Sequence, residues 1–141
     1  MNSYTKILNT PIIELELPKE LLSCRPGTSL RKVLDAMKKL HVGSVIVLDD
    51  KGRAAGIITE RDFLFKVCDT AVDVKNSTID KFMTPHPTTV ELTSTLEQVM
   101  QCMSLGGFRH VVIVDENSVV VSVISIKAVL GFFYEKLNME T

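Results

Sequence analysis

The chain has 141 residues, of which 45% are hydrophobic and 23% charged, and this balance suits one compact domain with a sizeable core rather than a disordered segment. A net charge of −1 and a pI near 6.3 give no general attraction for nucleic acid or an anionic membrane, so neither partner is expected. No apolar run reaches the ~18 residues of a membrane span and the N-terminus lacks a secretory signal, so we expect a cytoplasmic protein.

Residues 1–16 form a weakly patterned N-terminal segment. Its apolar residues could pack as a strand or as a cover over a core. These residues are Ile12, Ile13 and Leu15, together with Leu17 directly after the segment.

The three cysteines, Cys24, Cys68 and Cys102, are odd in number and lie far apart in apolar surroundings. Neither a disulfide framework nor a zinc site is indicated. We expect all three to be small core residues, and we expect no metal.

The sequence contains an internal repeat, whose first copy is residues 17–68. The pattern of this first repeat predicts a short extended piece, a helix, two buried strands and a second, short helix. Strands 44–48 and 54–58 are too densely apolar to be half-exposed, and the Asp-Asp-Lys-Gly sequence between them is typical of a hairpin turn. The first helix has a cap at Thr28 or Ser29, and we expect it to end at Gly43. Its apolar residues at helical spacing are Leu30, Val33, Leu34, Met37 and Leu40.

The stretch Gly56–Asp62 joins the second strand to the short helix 60–67. Thr59 falls at the N-cap and Asp62 three residues later, a pair typical of a capping box in which each side chain accepts the other residue's backbone N–H. The same pair with Arg61 is also typical of a ribose-phosphate site, because a carboxylate accepts from ribose hydroxyls while a helix start and a guanidinium favour phosphate. Both interpretations are open on these residues alone.

Residues 69–77 are polar without strong periodicity and are predicted to be a linker. After them, Ile79, Phe82 and Met83 predict one helical turn. Pro85 and Pro87 end it, because proline and the residue before it disfavour helix.

The second repeat, residues 78–141, is a copy of the first at a shift of 66 residues, which carries Leu30 onto Leu96 and Met37 onto Met103. It has the same order of elements. The predicted elements are a helix over 96–103 ended by Gly106 and Gly107, strands over 111–114 and 119–124, and a final helix over 126–137.

Two copies of strand-helix-strand-strand-helix, with Gly56–Asp62 closing the first and Met83-Thr84-Pro85 opening the second, resemble a tandem pair of cystathionine β-synthase (CBS) domains. The resemblance covers about residues 17–137. It implies an α/β (α+β) fold in which two β-α-β-β-α repeats pack with pseudo-two-fold symmetry into one disc-like module. In that family, clefts between the repeats bind adenosyl compounds, which implies a sensing module and not an enzyme.

The family's motif assigns Thr59 and Asp62 to ribose and phosphate, with Arg61 as their companion. The equivalent positions of the second repeat hold Ser125 and Ala128, and alanine cannot accept from a ribose diol. We therefore expect one nucleotide in one inter-repeat cleft.

The remaining contacts are expected from the second repeat. In the γ subunit of AMP-activated protein kinase, phosphate is contacted by a His-Arg pair before a strand and by a Lys after the strand pair. Arg109 and His110 hold the first place in reversed order, and Lys127 holds the second, although these residues could also be an ordinary solvated strand start and helix residue. For the adenine wall, the resemblance implies the backbone from Thr88 to Val90 and the side chains of Ile58 and Met83.

Three classes of function stay open. The resemblance favours a regulatory module that binds AMP, ADP or ATP, or S-adenosylmethionine as the alternative, without a tightly bound cofactor, and that signals to a separate, unidentified protein. A structural dimerisation module, in which Thr59 and Asp62 only cap a helix, is the second class. An enzyme is the least supported, because no nucleophile-base pair, metal set or phosphate-binding glycine loop is present.

We also expect a homodimer. Aromatic residues are concentrated on the second helix of each repeat, and exposed apolar patches usually mark interfaces. These residues are Phe63, Phe65, Phe132, Phe133 and Tyr134.

Overall fold

The computed structural model of the chain describes residues 2–18, 21–68 and 70–139. Met1, Asp69, Glu140 and Thr141, which fall at bounds of the predicted segments, lie outside these ranges. The described chain divides into two compact units, which we treat separately. The first-repeat unit is residues 21–87, and the second-repeat unit combines residues 2–18 with 88–139.

Helices and two small sheets form both units, which confirms the mixed α+β fold class. In chain order the elements are α1 (Ser3–Leu8), a 3₁₀-helix (Ile12–Glu14), β1 (Ser23–Cys24), α2 (Leu30–Leu40), β2 (Ser44–Leu48), β3 (Ala54–Thr59), α3 (Glu60–Asp62), a π-helix (Phe63–Val67), a 3₁₀-helix (Ile79–Lys81), β4 (Thr84–Pro85), β5 (Thr89–Glu91), α4 (Leu96–Gly106), β6 (His110–Val114), β7 (Val120–Ser125) and α5 (Ile126–Met139).

The first-repeat unit is built on a four-stranded sheet in the order β1-β2-β3-β4. β1 is parallel to β2, and the other neighbours are antiparallel. The hairpin register places Ser44 opposite Thr59, and β4 places Pro85 opposite Gly56. The main buried core residues of this unit are Leu30, Val33, Met37, Val45, Val47, Ile58, Phe63, Val67 and Ile79.

Helix α2 begins as predicted and ends earlier than predicted. The Ser29 hydroxyl accepts the Lys32 N–H at 3.1 Å and caps the helix. His41 then adopts the left-handed conformation with φ 54°, which stops the helix at Leu40. The prediction that Gly43 ends it was wrong, because histidine tolerates this conformation better than most residues with a Cβ.

The second-repeat unit has a three-stranded sheet in the order β5-β6-β7, with His110 opposite Ser125. A capping box of Thr95 and Gln98 starts α4, and Gly107 ends it with φ 67°, as predicted. The N-terminal segment covers this core, and its described residues 2–16 add no strand to the sheet. The residues it contributes to the core are Ile7, Ile12 and Leu15, whereas Ile13 is exposed.

Each unit is completed by a segment that lies in the sequence just before the strands and helices of the other repeat. The Ile79 N–H donates to the Thr28 carbonyl at 2.9 Å, and in the second-repeat unit the Ile12 N–H donates to the Ser94 carbonyl at 2.8 Å. Both isoleucine side chains are fully buried. The repeats predicted at 17–68 and 78–141 follow the sequence duplication, whereas the compact units follow this packing, so the two divisions differ at the flanks.

The segment predicted as a linker contributes to the first-repeat unit. Val72 and Val74 pack against its core, and the Val74 carbonyl accepts the Arg31 N–H at 3.2 Å. These residues therefore add to the buried apolar surface of that unit.

Two of the cysteines pack against the cores, but Cys68 is exposed, so its prediction as a core residue was wrong. Cys68 comes directly after the π-helix, where the chain leaves the core. Burial raises the pKa of the Cys24 thiol.

The aromatic surface is smaller than predicted. Phe63 is buried, and Phe132 and Phe133 pack against the second core, so their proposed place in a dimer contact is not supported. The exposed apolar residues of the second helices are Leu64, Phe65, Ile126, Leu130, Tyr134 and Met139. None of the helices in residues 2–18, 21–68 and 70–139 combines the length and apolar character needed to cross a membrane.

Candidate functional site

The turn between β3 and α3 is a capping box, as the sequence predicts. Thr59 ends the strand in an extended conformation, and its hydroxyl accepts the Asp62 N–H at 3.3 Å. Asp62 Oδ2 accepts the Thr59 N–H at 2.9 Å and the Thr59 hydroxyl at 3.2 Å. The carboxylate is therefore held in one orientation, with 14% of its side chain exposed.

Lys66 contacts the candidate site, and the sequence analysis did not name it. Its Nζ lies 3.0 Å from Asp62 Oδ1 and also donates to the Phe82 carbonyl at 3.0 Å. The i,i+4 spacing from Asp62 was the available signal. The contact with the Phe82 carbonyl could not be predicted from the sequence, because tertiary packing brings Phe82 to Lys66. We call the contact of Asp62 and Phe82 through Lys66 the Lys66 bridge.

The helix after Asp62 widens into a π-helix, which the sequence did not predict. The Cys68 N–H donates to the Phe63 carbonyl five residues earlier, at 2.9 Å. Short π segments are rare and are found often at functional sites. Arg61 lies just before this segment, with an exposed side chain whose guanidinium is 5.4 Å from the centre of the Phe65 ring.

Of the two side chains predicted for the adenine wall, one is accessible. Ile58 is fully buried in the first core, so its side chain does not fit the predicted role. Met83 is half-buried beside Gly56, where an added Cβ would overlap its sulfur. Gly56 is thus required for the close approach of Met83 to β3.

The other predicted adenine contacts lie on and beside β5. The Thr88 carbonyl accepts the Val112 N–H at 3.4 Å, while the Thr88 side chain is exposed. Val90 is buried in the second core, so only its backbone fits the predicted role.

Arg109, His110 and Lys127 lie close to the start of α5 along the backbone. The Arg109 carbonyl accepts the Ile126 N–H at 2.8 Å, and His110 lies opposite Ser125 in the sheet. Arg109 and Lys127 are exposed and His110 is half-buried. Phosphate is the anion that such a group of side chains suits, because arginine can bind it in a bidentate manner.

The turn before α5 keeps the cap but lacks the carboxylate. The Ser125 hydroxyl accepts the Ala128 N–H at 3.1 Å, as Thr59 does for Asp62. Ser122, the equivalent of Gly56, is buried and donates to the Pro18 carbonyl at 3.4 Å. The carboxylate of Asp62 thus belongs to the first-repeat unit, whereas Arg109, His110 and Lys127 belong to the second-repeat unit.

Within the described ranges, no three His, Cys, Asp or Glu side chains are grouped so as to hold a metal ion.

Solved structures with the same fold include three that illustrate the similarity. An uncharacterized conserved protein from Pyrococcus horikoshii matches with a TM-score of 0.79 and 24% identity, covering 88% of this chain and 92% of its own. The CBS domain pair of protein MJ0100, solved with 5′-methylthioadenosine and S-adenosyl-L-methionine, matches at 0.79 and 22%, covering 90% and 98%. The cytosolic domain of the Mg²⁺ channel MgtE, solved with ATP, matches at 0.67 and 22%, covering 82% and 46%.

Curated relatives are longer than this chain. An uncharacterized 17.7 kDa protein of Acidianus ambivalens is 29% identical over 103 residues, which are 73% of this chain and 61% of the relative. The arabinose 5-phosphate isomerase KdsD of Pseudomonas aeruginosa is 36% identical over 101 residues, or 72% of this chain and 29% of the isomerase.

The family assignment rests on both repeats. The model of the CBS domain matches residues 13–69 and again residues 78–135. Each match contains one strand-helix-strand-strand-helix unit of the observed fold. The chain therefore belongs to the CBS domain family and carries two CBS domains in tandem.

Proposed function

We propose that this chain is a regulatory module that binds one adenine nucleotide, AMP, ADP or ATP, and signals its occupancy to a separate protein. The observation that carries the proposal is the difference between two equivalent turns. Thr59 and Asp62 form a fixed carboxylate at one turn, whereas Ser125 and Ala128 form an uncharged cap at the other. One nucleotide per chain follows.

The ribose role belongs to Asp62. A ribose diol donates two hydroxyl bonds, and a carboxylate that Thr59 already orients can accept them without first losing rotational freedom. Hydrogen bonds to a charged acceptor are also the stronger kind. Met83 and the backbone from Thr88 to Val90 remain the candidates for adenine contacts.

The phosphate role belongs to Arg109, His110 and Lys127, with Arg61 as a further cation. These side chains favour a phosphorylated adenosine over S-adenosylmethionine, whose sulfonium carries a like charge. The relatives solved with ATP and with S-adenosylmethionine support an adenosyl ligand as the class without deciding between the two.

A structural dimerisation module is the second candidate, because the capping box is complete without a ligand. Exposed apolar residues at equivalent positions, Leu64 and Leu130, support association of two copies through the second helices. We propose a homodimer under either function, with Phe65 and Tyr134 at its contact. Binding, and not catalysis, is the activity proposed in both cases.

Calorimetric titration with AMP, ATP and S-adenosylmethionine tests the proposal. We expect one site per chain and tighter binding of the phosphorylated ligands. Two equivalent sites would contradict the single carboxylate site, and tighter binding of S-adenosylmethionine would contradict the phosphate roles. Absence of binding by all three ligands would leave the dimerisation module.

A further inference from the structure

The Lys66 bridge joins the proposed ribose site to a flank of the same unit. Lys66 contacts Asp62 Oδ1 and the Phe82 carbonyl at 3.0 Å each, and 44% of its side chain is exposed. Phe82 directly follows the 3₁₀-helix Ile79–Lys81, and β4 after it pairs with β3. Besides the pairing of β4 with β3, the flank 79–85 thus has a tie through Lys66 to the turn that carries Asp62.

Counting acceptors shows that a ribose cannot be added to this arrangement without loss. A carboxylate offers about four acceptor positions. Three are used by the Thr59 N–H, the Thr59 hydroxyl and the Lys66 ammonium. A ribose diol brings two donors to the single remaining position, so one present donor must leave.

Lys66 is the donor that leaves at the lowest cost. The Thr59 N–H is fixed by the backbone, and the Thr59 hydroxyl is held beside the carboxylate because its oxygen accepts the Asp62 N–H. The ammonium belongs to a side chain that is 44% exposed and can be rehydrated when it leaves Asp62. Exposed ion pairs of this kind are weak.

The flank would respond to this displacement. Lys66 then no longer joins Phe82 to the turn. At Phe82 and Met83 the flank keeps the bonds in which these N–H groups donate to the Ile79 carbonyl at 3.0 and 2.9 Å, while its ends stay held by the bond from the Ile79 N–H to the Thr28 carbonyl and by the pairing of β4 with β3. The second repeat lacks this device, since Phe132 and Ala128 stand at the positions of Lys66 and Asp62.

We propose that Lys66 is the residue that transmits occupancy: a bound ribose displaces it from Asp62, and the flank 79–85 loses its tie to the turn. This inference rests on the proposed function, because it requires a ribose at Asp62. It names the regulatory output of that site as a change in the flank and not in the helix that carries the carboxylate.

The test uses the full chain, adenosine and AMP, and amide hydrogen exchange followed by NMR. Wild type should bind adenosine and show faster exchange at Phe82 and Met83 when it is bound. Lys66→Met should bind adenosine as tightly or up to about fivefold tighter, the range of an exposed ion pair, with exchange at the flank fast in both states. Lys39→Met, which removes an exposed charge at the end of α2, should behave as wild type.

Several outcomes overturn the inference. Weaker binding by Lys66→Met would make Lys66 a ligand contact, and a ligand-dependent change at Phe82 retained in Lys66→Met would show that transmission does not need it. Lys66→Gln replaces Lys66→Met if the latter does not fold. If wild type binds neither adenosine nor AMP, the proposed function fails, and this inference fails with it. If wild type binds a ligand but exchange at its flank does not change, only the inference about Lys66 fails.

Discussion

Replacing Asp62 with alanine separates nucleotide binding from helix capping. The variant loses the bond from the Thr59 N–H at 2.9 Å and the ion pair with Lys66 at 3.0 Å. A lost cap costs about 1 kcal/mol, and the partly exposed ion pair adds at most about 1 kcal/mol. The free energy of unfolding should therefore fall by about 1–2 kcal/mol, which lowers Tm by roughly 3–8 °C.

The same substitution should also weaken nucleotide binding. The expected loss of affinity is larger than the loss of stability alone would produce. Loss of a hydrogen bond to a charged acceptor costs about 1.5–3 kcal/mol, or roughly tenfold to 150-fold in Kd. Calorimetric titration with AMP, run well below the melting temperature of the variant, measures this loss directly.

Gln98→Ala is the matched control for capping. Gln98 Oε1 accepts the Thr95 N–H at 2.9 Å in the capping box of α4, where no ligand role is proposed. We expect a similar loss of about 1 kcal/mol in stability and an unchanged Kd for AMP. A melting temperature lowered in Asp62→Ala with wild-type affinity for AMP would refute the ribose role and leave a helix cap.

Three further predictions follow from particular residues. Arg109→Ala should weaken binding of AMP and ATP and leave adenosine nearly unaffected, which competition calorimetry would show; an equal loss for adenosine would contradict a phosphate role. Tyr134→Glu, on the exposed face of α5, should shift a dimer toward monomer in sedimentation velocity at micromolar concentration, whereas a monomeric wild type would remove the dimer proposal. The backbone N–H of Arg53 lowers the pKa of Asp49 below its ordinary 3.8, so this carboxylate contributes stability above that pH that is lost as the pH falls through its lower folded value. Thermal melts should therefore show a smaller loss of stability on acidification below pH ~4 in Asp49→Asn than in wild type.

Elements governed by local pattern were predictable from the sequence. Helical spacing after Ser29 predicted α2, and the Asp49 turn predicted the β2–β3 hairpin, in which Asp49 Oδ1 accepts the Lys51 and Arg53 N–H groups. The capping box followed from the Thr59 to Asp62 spacing alone. In each case the residues that decide the structure lie within a few positions of one another.

Features that depend on distant residues were not predictable. The π-helix moves Phe63 into the core and leaves Phe65 exposed, which altered the expected aromatic surface. Lys66 acquires its second partner only because the flank carrying Phe82 packs beside it. Ile58 was expected at a ligand because extended segments supply the adenine contacts in the CBS family. In β3, however, three consecutive residues are buried, so the Ile58 side chain lies in the core.

The exchanged flanks make the first-repeat unit an insertion within the second. Residues 21–87 form a continuous unit, whereas residues 2–18 must wait for residues 88–139 before Ile12 can reach its core. At the usual ribosomal rates, synthesis of the intervening segment of about 67 residues takes roughly 3–13 s. The first-repeat unit can thus fold on the nascent chain while the N-terminal segment still exposes apolar side chains. A chain cut between the two predicted repeats, before Ile79, would lack a residue that the first core buries completely.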